Sequence, residues 1–206
     1  MPAQIFLFRH GETAWSLTGQ HTGRTDLPLT ANGEHLASQI SERLQGVMFD
    51  HVLTSPLKRA RQTCDLAGFG AVAREDPDLR EWDYGIYEGW TTDEIQGERP
   101  AWNVFLNGCP GGESVEIIGR RADRVVRRLR ELDGKVAVFS HGQFLRVLAA
   151  RWIGLPAGEG RHFALDTASI SILGYEHSDR KVPAITLWNT VAGAVPATLI
   201  LAPASR

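Results

Sequence analysis

A chain of 206 residues can bury a sizeable core and matches the length of one α/β domain. With 43% hydrophobic and 22% charged residues it lies in the globular range, which excludes wholesale disorder. A formal charge of −2 excludes a general polyanion binder, so nucleic acid is not an expected partner. Cys64 and Cys109 are the only cysteines, too few for a disulfide scaffold and without zinc-site spacing, which predicts a reducing, cytoplasmic setting. The first residues lack the basic-then-apolar pattern of a secretory signal. The long uncharged stretch over 182–205 is interrupted by Pro183, Asn189, Pro196 and Pro203, so no membrane span is expected.

In chain order, Ile5, Phe6, Leu7 and Phe8 form a continuous apolar run, the pattern of a strand buried on both faces. Leu36, Ile40 and Leu44 recur at i, i+4 and predict one amphipathic helix over 30–44, capped by Thr30. Residues 51–54 predict a second strand, and Pro56 the first turn of a helix. Pro110-Gly111-Gly112 breaks the chain. After it, Val115, Ile118, Ala122, Val125, Leu129 and Leu132 predict a long amphipathic helix. Its arginines (Arg120, Arg121, Arg124, Arg127, Arg128, Arg130) interleave with Glu116, Asp123 and Glu131, which reads as a solvated face rather than a nucleic-acid stripe. Residues 136–139 predict a buried strand, 143–152 a helix, and 169–175 and 182–188 two late strands. With no internal repeat or linker, this alternation predicts a single domain over 1–206, with a mostly parallel sheet covered on both faces.

Three of the predicted strands run into polar residues: Arg9-His10-Gly11-Glu12-Thr13, Thr54-Ser55-Pro56-Leu57-Lys58-Arg59 and Ser140-His141-Gly142. Ligands of open α/β sheets bind outside the carboxyl ends of the strands. If these strands are neighbours, two histidines and two arginines converge there, a set suited to phosphate. Guanidinium groups match phosphoryl oxygens, and a neutral imidazole can attack phosphorus. Gly11 and Gly142 let the backbone approach a ligand closely. Other phosphate chemistries lack their signatures: there is no Walker A spacing, no cysteine-phosphatase loop and no paired metal-ligand run. Neither a metal nor a cofactor is expected.

The segment Arg9-His10-Gly11-Glu12-Thr13-Ala14-Trp15 resembles the opening motif of the histidine phosphatase superfamily, in its phosphoglycerate-mutase-like branch. The resemblance continues through Thr22-Gly23-Arg24-Thr25-Asp26-Leu27-Pro28-Leu29-Thr30 and Ser55-Pro56-Leu57-Lys58-Arg59-Ala60-Arg61-Gln62-Thr63. It resumes at Leu79-Arg80-Glu81-Trp82-Asp83-Tyr84-Gly85, Glu88-Gly89, Gly112-Glu113-Ser114 and Ser140-His141-Gly142. It implies a three-layer α/β/α fold with a mostly parallel central sheet. By the same resemblance His10 is the nucleophile that forms a phosphohistidine, and Arg9, Arg59 and His141 hold the phosphoryl oxygens. Glu81 is the proton donor to the leaving oxygen, with Asp83 and Glu88 as rivals. Glu88, placed before Gly89, is read as a turn cap.

Further expected phosphate contacts are Thr22, the backbone N–H groups of Gly23 and Gln143, and Ser16, which stands where mutases of the family usually carry asparagine. Trp15, Trp82 and Tyr84 are read as core, with a pocket wall as the alternative. The implied activity is metal-independent hydrolysis of small phosphomonoesters, such as sugar phosphates. The alternatives are a phosphoglycerate mutase and a non-catalytic module that binds a phosphorylated ligand. Family mutases carry a longer insertion after the acid glutamate, with an adjacent arginine pair that grips a carboxylate. Here Arg99 is the sole arginine between Glu81 and Gly112, and Arg120-Arg121 falls in the long helix, where it is read as solvated. The expected partner is a small phosphorylated metabolite; the sequence does not choose between monomer and homodimer.

Overall fold

The computed structural model describes residues 2–177 and 181–196; the part of the uncharged stretch beyond 196 lies outside the described residues. Six strands form one sheet: β1 (Gln4–Arg9), β2 (His51–Thr54), β3 (Arg74–Glu75), β4 (Lys135–Ser140), β5 (Ile170–Tyr175) and β6 (Pro183–Thr190). Their order across the sheet is β3-β2-β4-β1-β5-β6. The pairs β3–β2, β2–β4 and β4–β1 are parallel, whereas β5 runs antiparallel to both β1 and β6. The sheet is therefore mostly parallel, as expected. The few residues between β5 and β6 allow only a hairpin, since a parallel return needs a long crossover.

Side chains alternate across the pleat, and the core divides accordingly. Ile5, Leu7, Val136 and Val138 join one apolar cluster with residues of α7 (Val115–Glu131) and α8 (Gly142–Trp152). Phe6, Phe8, Ala137 and Phe139 join a second cluster on the opposite face. That face is covered by α2 (Ala31–Ser38), α3 (Ile40–Arg43) and α4 (Lys58–Leu66). Phe8 and Phe139 stack across neighbouring strands, with centroids 4.4 Å apart. Two helical layers thus enclose the sheet in an α/β/α sandwich.

Three expectations need adjustment. The helix predicted over 30–44 keeps its Thr30 cap, whose side chain accepts from the Gly33 N–H, but is interrupted at Gln39. There ψ is −10°, which tightens the turn toward 3₁₀ geometry. α4 begins at Lys58, two residues beyond Pro56, because Leu57 is extended and its N–H is donated to Ser55 Oγ. The segment between Glu81 and Gly112, for which no helix was predicted, contains α5 (Thr92–Glu98) and α6 (Val104–Asn107). α5 has a full capping box, with Thr91 and Glu94 satisfying each other's backbone N–H groups. A short α1 (Ala14–Thr18) follows the first strand end. Among the described residues, no helix is long and apolar enough to cross a membrane.

Candidate active site

Parallel pairing of β1 with β4 aligns Phe8 with Phe139 and Arg9 with Ser140, so the next residues, His10 and His141, emerge at one sheet edge. The His10 N–H donates to the Ser140 carbonyl at 3.0 Å, and the two imidazole centroids are 5.2 Å apart. β2 pairs with the other side of β4, and the Ser55 N–H donates to the Phe139 carbonyl at 2.9 Å. The three strand ends therefore converge as the sequence predicted.

The tautomer of His10 follows from its partner. Nδ1 lies 2.7 Å from the Gly11 carbonyl oxygen, which can only accept, so Nδ1 carries the proton and Nε2 keeps its lone pair. Burial, together with the positive charges of Arg59 and Arg9, holds the His10 pKa well below the ordinary histidine value. His10 is thus neutral and aimed for nucleophilic chemistry through Nε2. Gly11 is required beside it: a Cβ there would lie 2.5 Å from the Gly33 carbonyl oxygen.

His141 takes the opposite tautomer. Arg59 Nε donates to His141 Nδ1 at 3.1 Å, so the proton sits on Nε2 and is donated to Ser55 Oγ at 2.7 Å. Arg59 is fully buried, and its terminal nitrogens donate to the carbonyls of Thr22, Gly23 and Thr25, each at 3.0 Å. In this structure Arg59 ties a loop and a histidine together beneath the site and is not part of the cleft lining. The same loop is held from its other side by Glu88, whose Oε1 accepts from the N–H of Gly23 at 2.8 Å and of Thr25 at 3.0 Å. This corrects two expectations. The Gly23 N–H is directed to Glu88 rather than to a ligand, and Glu88 anchors a loop instead of capping a turn.

The cleft itself has a volume of about 160 Å³ and is lined by Arg9, His10, Ser16, Thr22, Glu81, Tyr84, Gly142 and Gln143, among others. Arg9 donates through Nη1 to the Leu165 carbonyl, while its buried Nε has no partner. Gly142 makes room for it, since a Cβ there would stand 3.2 Å from the guanidinium carbon. A buried, orphaned guanidinium N–H next to a neutral histidine calls for an anionic ligand.

Glu81 is buried, and its carboxylate accepts three backbone N–H groups: Trp82 and Phe144 on Oε1 at 2.8 and 2.9 Å, and Gln143 on Oε2 at 3.0 Å. The first turn of α8 thus holds Glu81, and the Gln143 N–H is not free for phosphate as predicted. Ser16 lines the cleft, but its hydroxyl accepts from the Thr13 N–H and donates to the Thr13 carbonyl within the cap of α1. Thr22 lines the cleft with its hydroxyl 3.4 Å from the Gln20 carbonyl, a long contact.

Of the rival acids, Asp83 pairs with exposed Arg24 and borders a neighbouring cavity of about 770 Å³, which shares Glu81 with the cleft but is not lined by His10. Glu81 is the one of the three carboxylates that lines the cleft. Trp82 is fully buried as expected, Trp15 is only half-buried, and Tyr84 is both buried and part of the cleft wall.

Sequence reasoning missed Arg146 and His21, which also line the cleft. Arg146 sits one helical turn after Gln143 on α8, a spacing that was a usable signal. His21 stacks on Tyr84 at 4.6 Å, and burial pushes its pKa down to about 4. The reading of Arg121 as solvated is also overturned. It is buried, pairs with Glu113 at 2.6 Å and donates to the carbonyls of Asp78, Arg80 and Glu81. Among the described residues no group of three or more His, Cys, Asp or Glu side chains is placed to hold a metal ion.

The chain is 43% identical to an acid phosphatase of Mycobacterium tuberculosis over 188 residues, covering 89% of this chain and 92% of the relative. It is 34% identical over 251 residues to the sedoheptulose 1,7-bisphosphatase of Saccharomyces cerevisiae, with the same two coverages. A solved structure of an open reading frame product of Mycobacterium tuberculosis superposes with a TM-score of 0.86 at 41% identity, covering 92% of this chain and 99% of that one. The model of the histidine phosphatase superfamily (branch 1) matches residues 5–190, which take in all six strands but for Gln4 and include His10 and His141. By descent as well as by geometry, the chain belongs to the histidine phosphatase superfamily.

Proposed function

We propose that this protein hydrolyses small phosphate monoesters through a phosphohistidine on His10. The observation that carries the reading is the neutral His10, with Nε2 unprotonated, sharing a cleft with Arg9, whose buried Nε has no partner, and with the carboxyl group of Glu81. Nε2 attacks phosphorus while the ester P–O bond breaks, and the leaving oxygen takes a proton from Glu81. Water then attacks the phosphohistidine, giving its proton to Glu81 and releasing inorganic phosphate. Arg9 stabilises the equatorial oxygens, and Arg59 and the N–H of His141 hold the surrounding frame. Phosphoryl transfer asks mainly for positioning and charge stabilisation, which fixed cations supply.

The reading takes residues 1–206 as one histidine phosphatase domain, acting on a phosphorylated metabolite in the cytoplasm. The names of the acid phosphatase and bisphosphatase relatives support a small phosphate ester as substrate. Hydrolysis is favoured over mutase chemistry because Arg121, the half-candidate for a carboxylate clamp, is fully engaged with Glu113 and three carbonyls.

The test is phosphate release from p-nitrophenyl phosphate, and from 3-phosphoglycerate with and without 2,3-bisphosphoglycerate primer, each with and without chelator. Release that is indifferent to chelator and to primer is expected. Formation of 2-phosphoglycerate faster than free phosphate would replace the hydrolase by a mutase, and binding without turnover would reduce it to a binding module.

A further inference from the structure

The 165–169 loop, which leads into β5, is bonded to both Arg9 and His10. Arg9 donates through Nη1 to the Leu165 carbonyl, and its backbone N–H donates to the Ser169 carbonyl at 3.3 Å. The Ala168 N–H donates to the His10 carbonyl at 3.1 Å. The loop does not rest in this shape by preference. Ala168 stands at φ 55°, in the left-handed region that an alanine disfavours. Such conformations persist where the surroundings hold them.

The holder is the end of the edge strand β6. Trp188 Nε1 donates to the Ala164 carbonyl at 2.6 Å. Arg43, at the end of α3, bridges loop and strand by donating to the carbonyls of Ala168 and Thr190. Asn189 makes the tightest link. Its Oδ1 accepts the Asp166 N–H at 2.7 Å, and its Nδ2 donates to Asp166 Oδ2 at 2.8 Å. A bulge brings this about. Between the pairs Ile170–Thr190 and Ile172–Leu187, β5 advances two residues and β6 advances three. Asn189 lies in the extra stretch at φ 56°, with its N–H donated to Ser171 Oγ at 2.9 Å. A bulge re-aims a side chain, and asparagine is among the few residues that accept the left-handed backbone. Asn189 does not line the cleft.

We propose that Asn189 is a positioning residue for phosphate binding: by clasping Asp166 it holds the 165–169 loop against Arg9 and His10, and so keeps the Arg9 guanidinium fixed in the cleft. This rests on the phosphatase reading above and adds to it a residue of the sheet edge. A purely structural Asn189 would contribute to stability and leave the phosphate affinity of the folded protein alone.

The experiment measures inorganic phosphate binding by calorimetry, together with turnover. Asn189→Gly removes both side-chain bonds and accepts the left-handed backbone. The folded variant is expected to bind phosphate about tenfold more weakly than wild type and to lose about tenfold in kcat/KM. The loss should be the same for p-nitrophenyl phosphate and for alkyl phosphates, because Arg9 holds the transferred group and not the leaving oxygen. The exchange of Asp166→Asn with Asn189→Asp swaps donor and acceptor at constant charge. It should restore phosphate affinity to within about threefold of wild type. Thr186→Val removes a hydroxyl bond to the Ile172 carbonyl elsewhere on β6 and should leave phosphate affinity unchanged.

Wild-type phosphate affinity in Asn189→Gly, a loss that the exchange does not recover, or an equal loss in Thr186→Val overturns the proposal. If Asn189→Gly fails to fold, Asn189→Asp alone, which sets two carboxylates against each other, is compared with the exchange. The single variant should bind phosphate more weakly than the double, and equal affinities overturn the proposal. If wild type binds phosphate but releases none from p-nitrophenyl phosphate, the phosphatase reading falls, while the calorimetric comparison still decides the role of Asn189.

Discussion

Nη2 of Arg121 donates to the backbone carbonyl of Glu81 at 3.1 Å, tying the cleft acid to a helix of the outer layer. Nη1 of the same guanidinium donates to the carbonyls of Asp78 and Arg80 at 2.8 and 2.6 Å. Both Glu113 oxygens accept from it, at 2.9 and 2.6 Å, and Glu113 Oε2 also accepts the Asp83 N–H at 3.0 Å. The pair therefore grips the backbone on either side of Glu81. Arg121→Met is expected to cost about 3 kcal/mol, since it leaves the half-buried Glu113 carboxylate without its counterion and three backbone carbonyls without their donor. Denaturant melts measure that cost. The positioning role is read separately: the folded fraction should lose more kcat on alkyl phosphates, which need a proton from Glu81, than on p-nitrophenyl phosphate.

His10 should carry the phosphoryl group. Rapid quench with labelled substrate is expected to trap a phosphoenzyme that survives alkali and is lost in acid. His10→Ala should abolish both the label and turnover, by roughly 10³-fold or more. Normal labelling in that variant would move the nucleophile elsewhere.

Acid should weaken the fold through its buried imidazoles. Burial holds His10 and His141 well below the ordinary histidine value, aided for both by the charge of Arg59, and burial brings His21 to about 4. As pH falls below the unfolded value near 6.5, the unfolded chain takes up protons that the native state refuses. Stability is therefore full above that pH and declines toward pH 4, by about 1.4 kcal/mol per pH unit for each histidine still neutral in the fold. Urea melts across pH 4–7.5 check the slope, and His21→Asn should reduce it. The low value of His10 also predicts that kcat/KM retains its nucleophile below pH 6.5.

Glu88 acts on the site through the 22–25 loop. Glu88→Ala removes the acceptor for the Gly23 and Thr25 N–H groups, and with it the support of the carbonyls that Arg59 uses. The expected result is a rise in KM of about tenfold, with a stability loss of roughly 1.5–3 kcal/mol. Glu88→Gln keeps an acceptor oxygen and should recover most of the KM. If both variants behave alike, the negative charge matters rather than the hydrogen bonds.

The legible part of the molecule was its parallel core. Ile5, Phe6, Leu7 and Phe8 are apolar on both faces and end abruptly at Arg9-His10, and residues 136–139 do the same before Ser140-His141. Neighbouring strands of this kind place their polar ends together. The commitments of individual N–H groups were not legible, because their acceptors come from remote residues: Glu81 takes Gln143, and Glu88 takes Gly23. Arg121 was hidden for a related reason. Alternating charges along a helix look the same whether they face water or a neighbouring loop, and only the packing of 78–81 against α7 decides. Residues 85–107 show no sustained period, since their helices are only four and seven residues long.

The alignment of β1 with β4 also limits how the chain can change in length. His10 and His141 meet because Arg9 stands beside Ser140, and both neighbours of each histidine are already used. Gly11 must pass close to Gly33, and Gly142 must admit Arg9. Removing one residue from either strand would turn its side chains to the opposite face and bring arginine, serine or glycine to the histidine's place. Insertions and deletions are therefore excluded from both strands, and variation in length is confined to places such as the connection between β5 and β6, where no cleft residue depends on the count.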